Sequence, residues 1–423
     1  MKLSDKEKMI LDGQKGLVKQ KAMELIVRYC RVVGAETLCK VTWADLFCGS
    51  HHYLDVVPSD DFDVIFSKMS LCSSEIVNLE KMDAQCICFS GVDADCSEVS
   101  DGMLMSPEKK ARNARFLSRF VDAGVVLSGN CIPYLTGFIP LMGEHFVSCE
   151  SSAVLFMNSA WGACGNGDGI EASFCAAVCG RTPLAGKHLP ENRIGTDLVV
   201  VDIEPRSVHD WDLLGYTLGR QLPPHSIPVL TGDYPRPTSI QLKAFFASLA
   251  CAAGTELCHI VGLTPEAGTH GQALNHRKPN LTIEIGAVDM TASLQELSGH
   301  GREKIDYVSL GCPHYHIDEL RRIAAYLDGK RIHPDTTVHL WTAGTIKHMA
   351  DRCGYTETIE DAGARLLTGS CPSTRGYPDG VRSAAYDSAK QRISAAQETD
   401  AKLFYGSWKA CLQSAISGYW EGR

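Results

Sequence analysis

The feature that most constrains the fold of this chain is the repeated alternation of short apolar runs with amphipathic segments. The runs are rich in β-branched and aromatic residues, and most are followed by a helix-like segment with a capping residue at its start. They are VTWADLF, DVIF, AQCICFS, AGVVLSG, HFVSCE, DLVVVDIE, LCHIVGL, DYVSLGC and TVHLWTAG. Strands that alternate with helices predict an α/β fold with mostly parallel sheets.

Two stretches outside these runs bear on the domain organisation. Residues 4–33 carry apolar side chains at helical spacing, which predicts an amphipathic opening helix. Residues 220–240 contain five of the 18 prolines and are predicted to form an ordered surface crossing. Apart from that crossing, residues 1–423 are expected to form one compact unit.

Charge and hydropathy exclude several classes of partner. The chain has 41 Lys and Arg against 50 Asp and Glu, a formal net charge of -9. Without a basic field, nucleic acid is not an expected partner. No apolar run approaches the roughly 18–20 residues needed to cross a bilayer, so no membrane partner is expected. The first residues are charged and lack the apolar core of a secretion signal, which predicts a cytoplasmic protein.

Eighteen cysteines are unusual for a cytoplasmic chain, where thiols stay reduced and do not form a disulfide framework. Those in helix-like or apolar segments are predicted to be core residues: Cys30, Cys39, Cys175, Cys179, Cys251, Cys258, Cys353 and Cys411. Cys131, Cys312 and Cys371 differ, because each lies beside Gly or Pro in a predicted loop. They are candidate metal or cluster ligands, although only the fold could bring thiols so distant in sequence together.

Two polar motifs could recognise an anion. The DSAK motif places Ser388 and Lys390 in a short polar segment, which is either an anion site or a solvated turn. The HLPENR motif supplies Asn192 and Arg193, which are suited either to a structural ion pair or to bidentate carboxylate recognition.

A further group of candidates begins at the end of the run HFVSCE. Glu150, Ser151 and Ser152 lie at a predicted strand end, with Asn158 farther along, and are candidate substrate-binding residues. Ser151 could equally cap the next helix. His314 follows Cys312 by two positions, where it either packs in the core or hydrogen-bonds to sulfur or to a leaving hydroxide.

Over most of its length the chain resembles the large-subunit branch of the aconitase superfamily, the aconitase X family. The segments that carry the resemblance are LSDKEKMILDGQKG, KAMELIV, ESSAVLFMNSAWGA, HLPENR, HIVGLTPEA, LGCPH, CGYTETIEDAG, DSAK and LFYGSWKACLQSAISGYW. CGSHHYLD, with His51 and His52, and SGVDADC depart from the family pattern in segments expected to shape the substrate pocket.

The resemblance implies an aconitase-like large part built of several α/β/α subdomains with mostly parallel sheets, lacking the mobile swivel domain. It maps the cluster thiolates of the family onto Cys131, Cys312 and Cys371, and so implies an iron–sulfur cluster (4Fe-4S or 2Fe-2S) or iron. A small swivel-domain subunit is the implied partner and would supply a serine base.

The implied reaction is the dehydration of a small hydroxycarboxylate. With three protein thiolates, one iron keeps an open position that can act as a Lewis acid on a substrate hydroxyl. Lys390, helped by Ser388, is expected to anchor the substrate carboxylate. The favoured substrate is cis-3-hydroxy-L-proline and the alternative is 5-phosphomevalonate. A second alternative is a non-catalytic metal-sensing or binding protein on the same fold.

Overall fold

The computed structural model describes residues 1–48, 81–90, 107–299, 301–373, 378 and 380–421. The helices within these ranges are Asp5–Leu11 (α1), Leu17–Val33 (α2), Pro107–Asp122 (α3), Ser151–Ala160 (α4), Ile170–Cys179 (α5), Val208–Gln221 (α6), Ser239–Ala253 (α7), His270–Ala273 (α8), Ala287–Ser298 (α9), Ile317–Leu327 (α10), Gly344–Arg352 (α11), Tyr355–Asp361 (α12), Ala389–Ala395 (α13) and Trp408–Ser417 (α14).

The strands within the same ranges are Leu38–Lys40 (β1), Trp43–Phe47 (β2), Gln85–Ser90 (β3), Val125–Val126 (β4), Phe146–Ser148 (β5), Arg181–Pro183 (β6), Asp197–Val201 (β7), Pro228–Gly232 (β8), His259–Ile260 (β9), Thr282–Ile285 (β10), Glu303–Lys304 (β11), Tyr307–Tyr315 (β12), Thr337–Thr342 (β13), Arg365–Leu367 (β14), Ser383–Tyr386 (β15), Lys402–Tyr405 (β16) and Tyr419–Trp420 (β17).

Three parallel sheets form the framework of the described residues. Their strand orders are β4-β3-β2-β5, β10-β7-β8-β9 and β14-β13-β12-β15-β16, and every neighbouring pair in them is parallel. Two short antiparallel ribbons, β1-β6 and β11-β17, are added to this framework. Each predicted apolar run that falls on described residues contains a strand, while DVIF lies outside them. The predicted α/β fold with mostly parallel sheets is confirmed.

The opening helix differs from the prediction. Residues 4–33 form two helices, α1 and α2, separated by residues 12–16. Gly13 and Gly16 in this break have φ angles of 79° and 95°, a left-handed region that favours glycine and interrupts a helix. The apolar residues on both sides of this break recur at helical intervals, so their periodicity alone predicts one continuous helix.

The expected surface crossing over 220–240 contains a strand, β8, which lies between β7 and β9. Val229 and Leu230 of this strand are fully buried. Pro228 begins the strand, a position where the missing N–H is tolerated, and the other prolines flank it. The density of prolines therefore concealed a buried strand.

Two of the helices pack unusually closely beside the second sheet. A Cβ atom at Gly215 of α6 would lie 2.3 Å from the carbonyl oxygen of Phe245 in α7. Only glycine allows this approach. The contact places α7 against the main hydrophobic core, which also includes side chains of β12.

Most cysteines predicted to be core residues are buried, as expected. Cys353 is exposed, because it follows the short helix α11 at the chain reversal where Gly354 adopts a left-handed conformation. Cys251 is half-buried.

None of the helices in the described ranges is long and apolar enough to cross a membrane.

Candidate functional site

Three strand ends bring Cys131, Cys312 and Cys371 together. Cys131 follows β4 of the first sheet, whereas Cys312 near the end of β12 and Cys371 after β14 belong to the third sheet. Ligands of open parallel sheets bind at such carboxyl ends. Burial raises the pKa of the Cys131 thiol well above its usual value, and the charges of Cys312 and Cys371 raise it further. The three thiols therefore lie within electrostatic range of one another.

His314 of β12 connects this strand to the loops that carry Cys131 and Cys371. Its Nδ1 accepts a hydrogen bond from the backbone N–H of Cys131 at 3.1 Å, and its Nε2 donates to the carbonyl of Ser370 at 2.9 Å. Burial lowers the pKa of His314 to about 4, so the ring is neutral near pH 7. Nδ1 also lies 3.5 Å from the Cys131 sulfur. With both ring nitrogens occupied, this histidine positions the loops and has no nitrogen left for a leaving hydroxide.

A buried ion pair supports the backbone beside Cys312. Lys243 of α7 donates to the carbonyl of His314 at 2.8 Å and to that of Pro313 at 3.4 Å. Its ammonium also lies 2.6 Å from the Glu319 carboxylate, and the Lys243 residue is 2% exposed. Sequence reasoning missed this lysine because it sits in an otherwise apolar helical segment, with no motif around it.

Asp387, the first residue of the DSAK motif, is hydrogen-bonded to residues of β12 on both sides of Cys312. It accepts hydrogen bonds from the backbone N–H of Gly311 at 3.3 Å and from the hydroxyl of Tyr315. Burial raises the pKa of Asp387 to about 6, against the lowering effect of these donors. The sequence indicates a role for Ser388 and Lys390 of the DSAK motif but not for Asp387.

Gly311 is required by the irregular backbone of β12 just before Cys312, where the strand pairing shifts register. Its φ angle is 98°, and an added Cβ would lie 2.5 Å from the backbone oxygen of Trp341. We expect Gly311→Ala to destabilise the protein by at least about 2 kcal/mol, because backbone strain and a clash with main chain combine. Denaturant unfolding under anaerobic conditions measures this.

The matched control for this prediction is Gly329→Ala. Gly329 has a φ angle of 68° but nothing within 4 Å of an added Cβ, so only strain applies and the loss should be about 1 kcal/mol. Equal losses for the two variants would contradict the proposed clash with Trp341.

Glu150 and Lys390 form a buried ion pair in the candidate site. Glu150 caps α4 by accepting from the backbone N–H of Ala153 at 2.5 Å and from the Ser152 hydroxyl at 2.7 Å. The Lys390 ammonium donates to the second carboxylate oxygen at 2.7 Å and to Ser152 at 3.4 Å. Ser151 is exposed and does not cap the helix, because the Glu150 carboxylate occupies that position.

The charges of this pair stabilise each other. Burial raises the pKa of Glu150, but Lys390, Ser152 and the Ala153 N–H together lower it below its usual value. Burial lowers the pKa of Lys390, but Glu150 and the Cys312 and Cys131 side chains raise it above its usual value. Lys390 is therefore a fixed cation beside the thiols.

The DSAK motif is a buried helix start and not a solvated turn. Ser388 caps α13 by accepting from the backbone N–H of Gln391 at 3.4 Å. The Gln391 amide donates to Ser309 in β12 at 2.8 Å and to the carbonyl of Pro372 at 3.5 Å. The first turn of α13 thus supports the loop that carries Cys371.

Three predicted substrate-binding residues lie in a separate network. The Arg193 guanidinium pairs with Glu266 through three contacts of 2.6 to 3.1 Å and donates to the side-chain oxygen of Asn158 at 3.2 Å. Asn158 also holds the main chain of Gly165, and the exposed Asn192 donates to the carbonyl of Gly186. Within the described residues, none of these hydrogen bonds involves Cys131, Cys312 or Cys371. His51, His52 and residues 91–96 lie outside the described residues.

Several buried polar atoms next to the thiols suggest that a further group belongs there. Within the described part of the chain, the Tyr134 hydroxyl, the Ser370 hydroxyl and the Gln391 side-chain oxygen have no hydrogen-bond partner. Buried polar groups are normally satisfied by protein, water or a ligand. Three convergent thiols with a neighbouring cation have the donor set for iron or an iron–sulfur cluster.

Comparison with known families covers nearly all of the chain. The model of the aconitase X first domain matches residues 1–191, that of the second domain residues 195–295, and that of the third domain residues 305–417. The first match ends just before β7, and the third begins just before β12.

Individual relatives agree with the family models. A cis-3-hydroxy-L-proline dehydratase of Pseudomonas aeruginosa is 33% identical over 305 residues, which cover 71% of this chain and 52% of that protein. The chain thus spans about half the length of that enzyme. A phosphomevalonate dehydratase large subunit of Methanocaldococcus jannaschii is 30% identical over 98% of this chain and 100% of its own length. The crystal structure of the holo-form of Thermococcus kodakaraensis aconitase X has a TM-score of 0.78 and 25% identity, covering 95% of this chain and 97% of that one.

Proposed function

This chain belongs to the aconitase X family, and we propose that it is the catalytic part of a hydro-lyase that dehydrates a small hydroxycarboxylate. The predicted reaction class agrees with the names of the relatives in bacteria and archaea, which are dehydratases. The observation that carries the proposal is the convergence of one thiol that follows a strand of the first sheet, two thiols from the third sheet and one buried lysine.

Cys131, Cys312 and Cys371 are the proposed ligands of the cofactor, an iron–sulfur cluster (4Fe-4S or 2Fe-2S) or iron. When bound by three thiolates, such a group supplies an open iron position that acts as a Lewis acid on a hydroxyl group. Burial, opposed by Lys390 and reinforced by Cys371, raises the pKa of Cys312 to about 12, so metal binding must displace its proton. His314 holds the loops of Cys131 and Cys371 in position through its bonds to the Cys131 N–H and the Ser370 carbonyl.

Lys390 is the proposed anchor for the substrate carboxylate. Two of its three N–H bonds are directed at Glu150 and Ser152, so one donor remains for a ligand. Glu150 holds the ammonium in place, while Ser388 fixes the start of the helix that carries it. A charge-assisted contact to a carboxylate would then orient the substrate beside the thiols.

A small swivel-domain subunit is the proposed partner, and we expect it to supply the base that removes the proton. The name of the archaeal relative, a large subunit, supports a two-subunit enzyme. We therefore expect this chain to dehydrate substrate at ordinary enzymatic rates only when the small subunit is present. Steady-state assays with and without the partner measure this, and full activity of the chain alone would contradict it.

The charges near the thiols favour cis-3-hydroxy-L-proline as the substrate. Among the described residues, the two buried lysines beside the thiols are each paired with a carboxylate, Lys390 with Glu150 and Lys243 with Glu319. One partly available ammonium matches the single carboxylate of an amino acid better than it matches a substrate that also carries phosphate. The alternative, 5-phosphomevalonate, is favoured by the full-length match to the archaeal large subunit.

The two substrates can be compared directly. Protein purified anaerobically with its small subunit should dehydrate cis-3-hydroxy-L-proline and not 5-phosphomevalonate. The reverse preference would establish the alternative substrate. A sample with full iron content that dehydrates neither would refute the catalytic proposal and favour a metal-sensing role.

A further inference from the structure

A second group of soft ligands lies away from the three active-site thiols. Cys39 is in β1, His145 directly precedes β5, and His188 ends the one-turn 3-10 helix Gly186–His188. One ligand atom from each lies within 4.8 Å of the other two. His145 lies before β5 and Glu150 follows it, so this group and the active site are at opposite ends of the strand.

We propose that Cys39, His145 and His188 form a second metal site, for a divalent transition cation such as Zn²⁺. Thiolate and imidazole are the ligands that zinc prefers in proteins. His188 is part of the HLPENR motif, which the proposed active site does not use.

The spacing of the two rings fits a shared cation. The Nδ1 atoms of His145 and His188 lie 3.1 Å apart. Two zinc–nitrogen bonds in a tetrahedral site separate the nitrogens by about 3.3 Å. The Cys39 sulfur is within 4.8 Å of a ligand nitrogen of both histidines, and a third bond to the cation would replace the hydrogen bond of 3.7 Å that this thiol donates to the carbonyl of Thr182.

The protonation of the histidines also suits metal binding. Burial lowers the pKa of His188 to about 3 and that of His145 below its usual value, so both rings present neutral donor nitrogens near pH 7. The Nε2 of His188 is buried without a hydrogen-bond partner among the described residues. The contact between the two rings uses their Nδ1 atoms and so leaves this Nε2 unsatisfied.

The fourth ligand of a tetrahedral cation at this site would be Cys164 or a water molecule. Cys164 is half-buried and forms a backbone bridge with His145. Burial is the main cause that raises the pKa of Cys39 to about 12, and the charges of Asp168 and Cys164 raise it further. A bound cation would tie β1 and the start of β5 to residues 186–193, close to the end of the first-domain match at residue 191.

Elemental analysis of the anaerobically purified protein tests this site. After dialysis with Zn²⁺ and removal of free metal, the wild type should retain one zinc per chain in addition to its iron. Cys39→Ser and His188→Ala should lose the zinc and keep the iron. Cys179→Ser, a buried cysteine of α5 outside the group, is the matched control and should keep both. Zinc-free wild type, or unchanged zinc in Cys39→Ser, would overturn the proposal.

A spectroscopic test on the folded wild type covers the case in which a variant fails to fold. Zinc-free protein that retains its iron is titrated with Co²⁺, and the spectrum before addition is subtracted. A tetrahedral site with a cysteine ligand should show intense visible bands and a thiolate-to-cobalt charge-transfer band, and added Zn²⁺ should remove both. A titration without the charge-transfer band would refute the involvement of Cys39.

Discussion

Simultaneous replacement of Cys131, Cys312 and Cys371 by serine is expected to reduce the iron content of anaerobically purified protein to background and to abolish turnover. Serine preserves the size of the side chain but removes the thiolates that hold iron. A Lewis-acid metal contributes several kcal/mol, on the order of 3 or more, to stabilising charge at a departing oxygen, so its loss should eliminate measurable dehydration. Iron analysis, visible absorption and steady-state assays measure the two effects.

The matched control for the triple variant is Cys353→Ser, because Cys353 is exposed and lies outside the three loops. It should retain iron, visible absorption and activity. The triple variant should keep its far-ultraviolet circular dichroism, since none of the three cysteines forms a disulfide in the described structure. Stoichiometric iron with unchanged visible absorption in the triple variant would show that other groups hold the cofactor.

Lys390→Ala is expected to lower kcat/KM by roughly 10²-fold or more while the iron content stays unchanged. The loss of a charge-assisted contact to a carboxylate in the transition state costs on the order of 3 kcal/mol. The variant should also be less stable by about 3 kcal/mol or more, because Glu150 loses its buried partner. Activity and stability are therefore measured on the same samples.

The double variant Glu150→Gln/Lys390→Met separates these two effects. It removes both buried charges, so stability should recover relative to Lys390→Ala, while kcat/KM should stay low because no ammonium is present. Lys304→Ala, which removes an exposed lysine paired with Asp335, is the surface control and should leave both quantities unchanged. Wild-type kcat/KM in the double variant would exclude Lys390 as the carboxylate anchor.

Much of the framework follows from local patterns in the sequence. The run DLVVV forms β7 and DYVSLGC forms most of β12 because their apolar, β-branched side chains suit strands buried on both faces. The Gly and Pro neighbours of Cys131 and Cys371 correctly indicated loops after strands. The same signal was wrong for Cys312, which lies inside β12 where the strand pairing is interrupted between Leu310 and Tyr315. The same reasoning failed over residues 4–33 and 220–240, where glycine conformation and proline position decided the outcome.

The arrangement of the site was decided only by the tertiary structure. Glu150 and Lys390 are 240 residues apart, and no local pattern predicts that their charges pair. Lys243 supports the backbone beside Cys312 from a helix of mostly apolar residues, and Arg193 pairs with Glu266, which is 73 residues away in the sequence. Sequence periodicity determines which side chains are buried and where strands end, because these depend on near neighbours. The partner of a buried charge depends on which surfaces the packed sheets bring into contact, and that is a property of the whole fold.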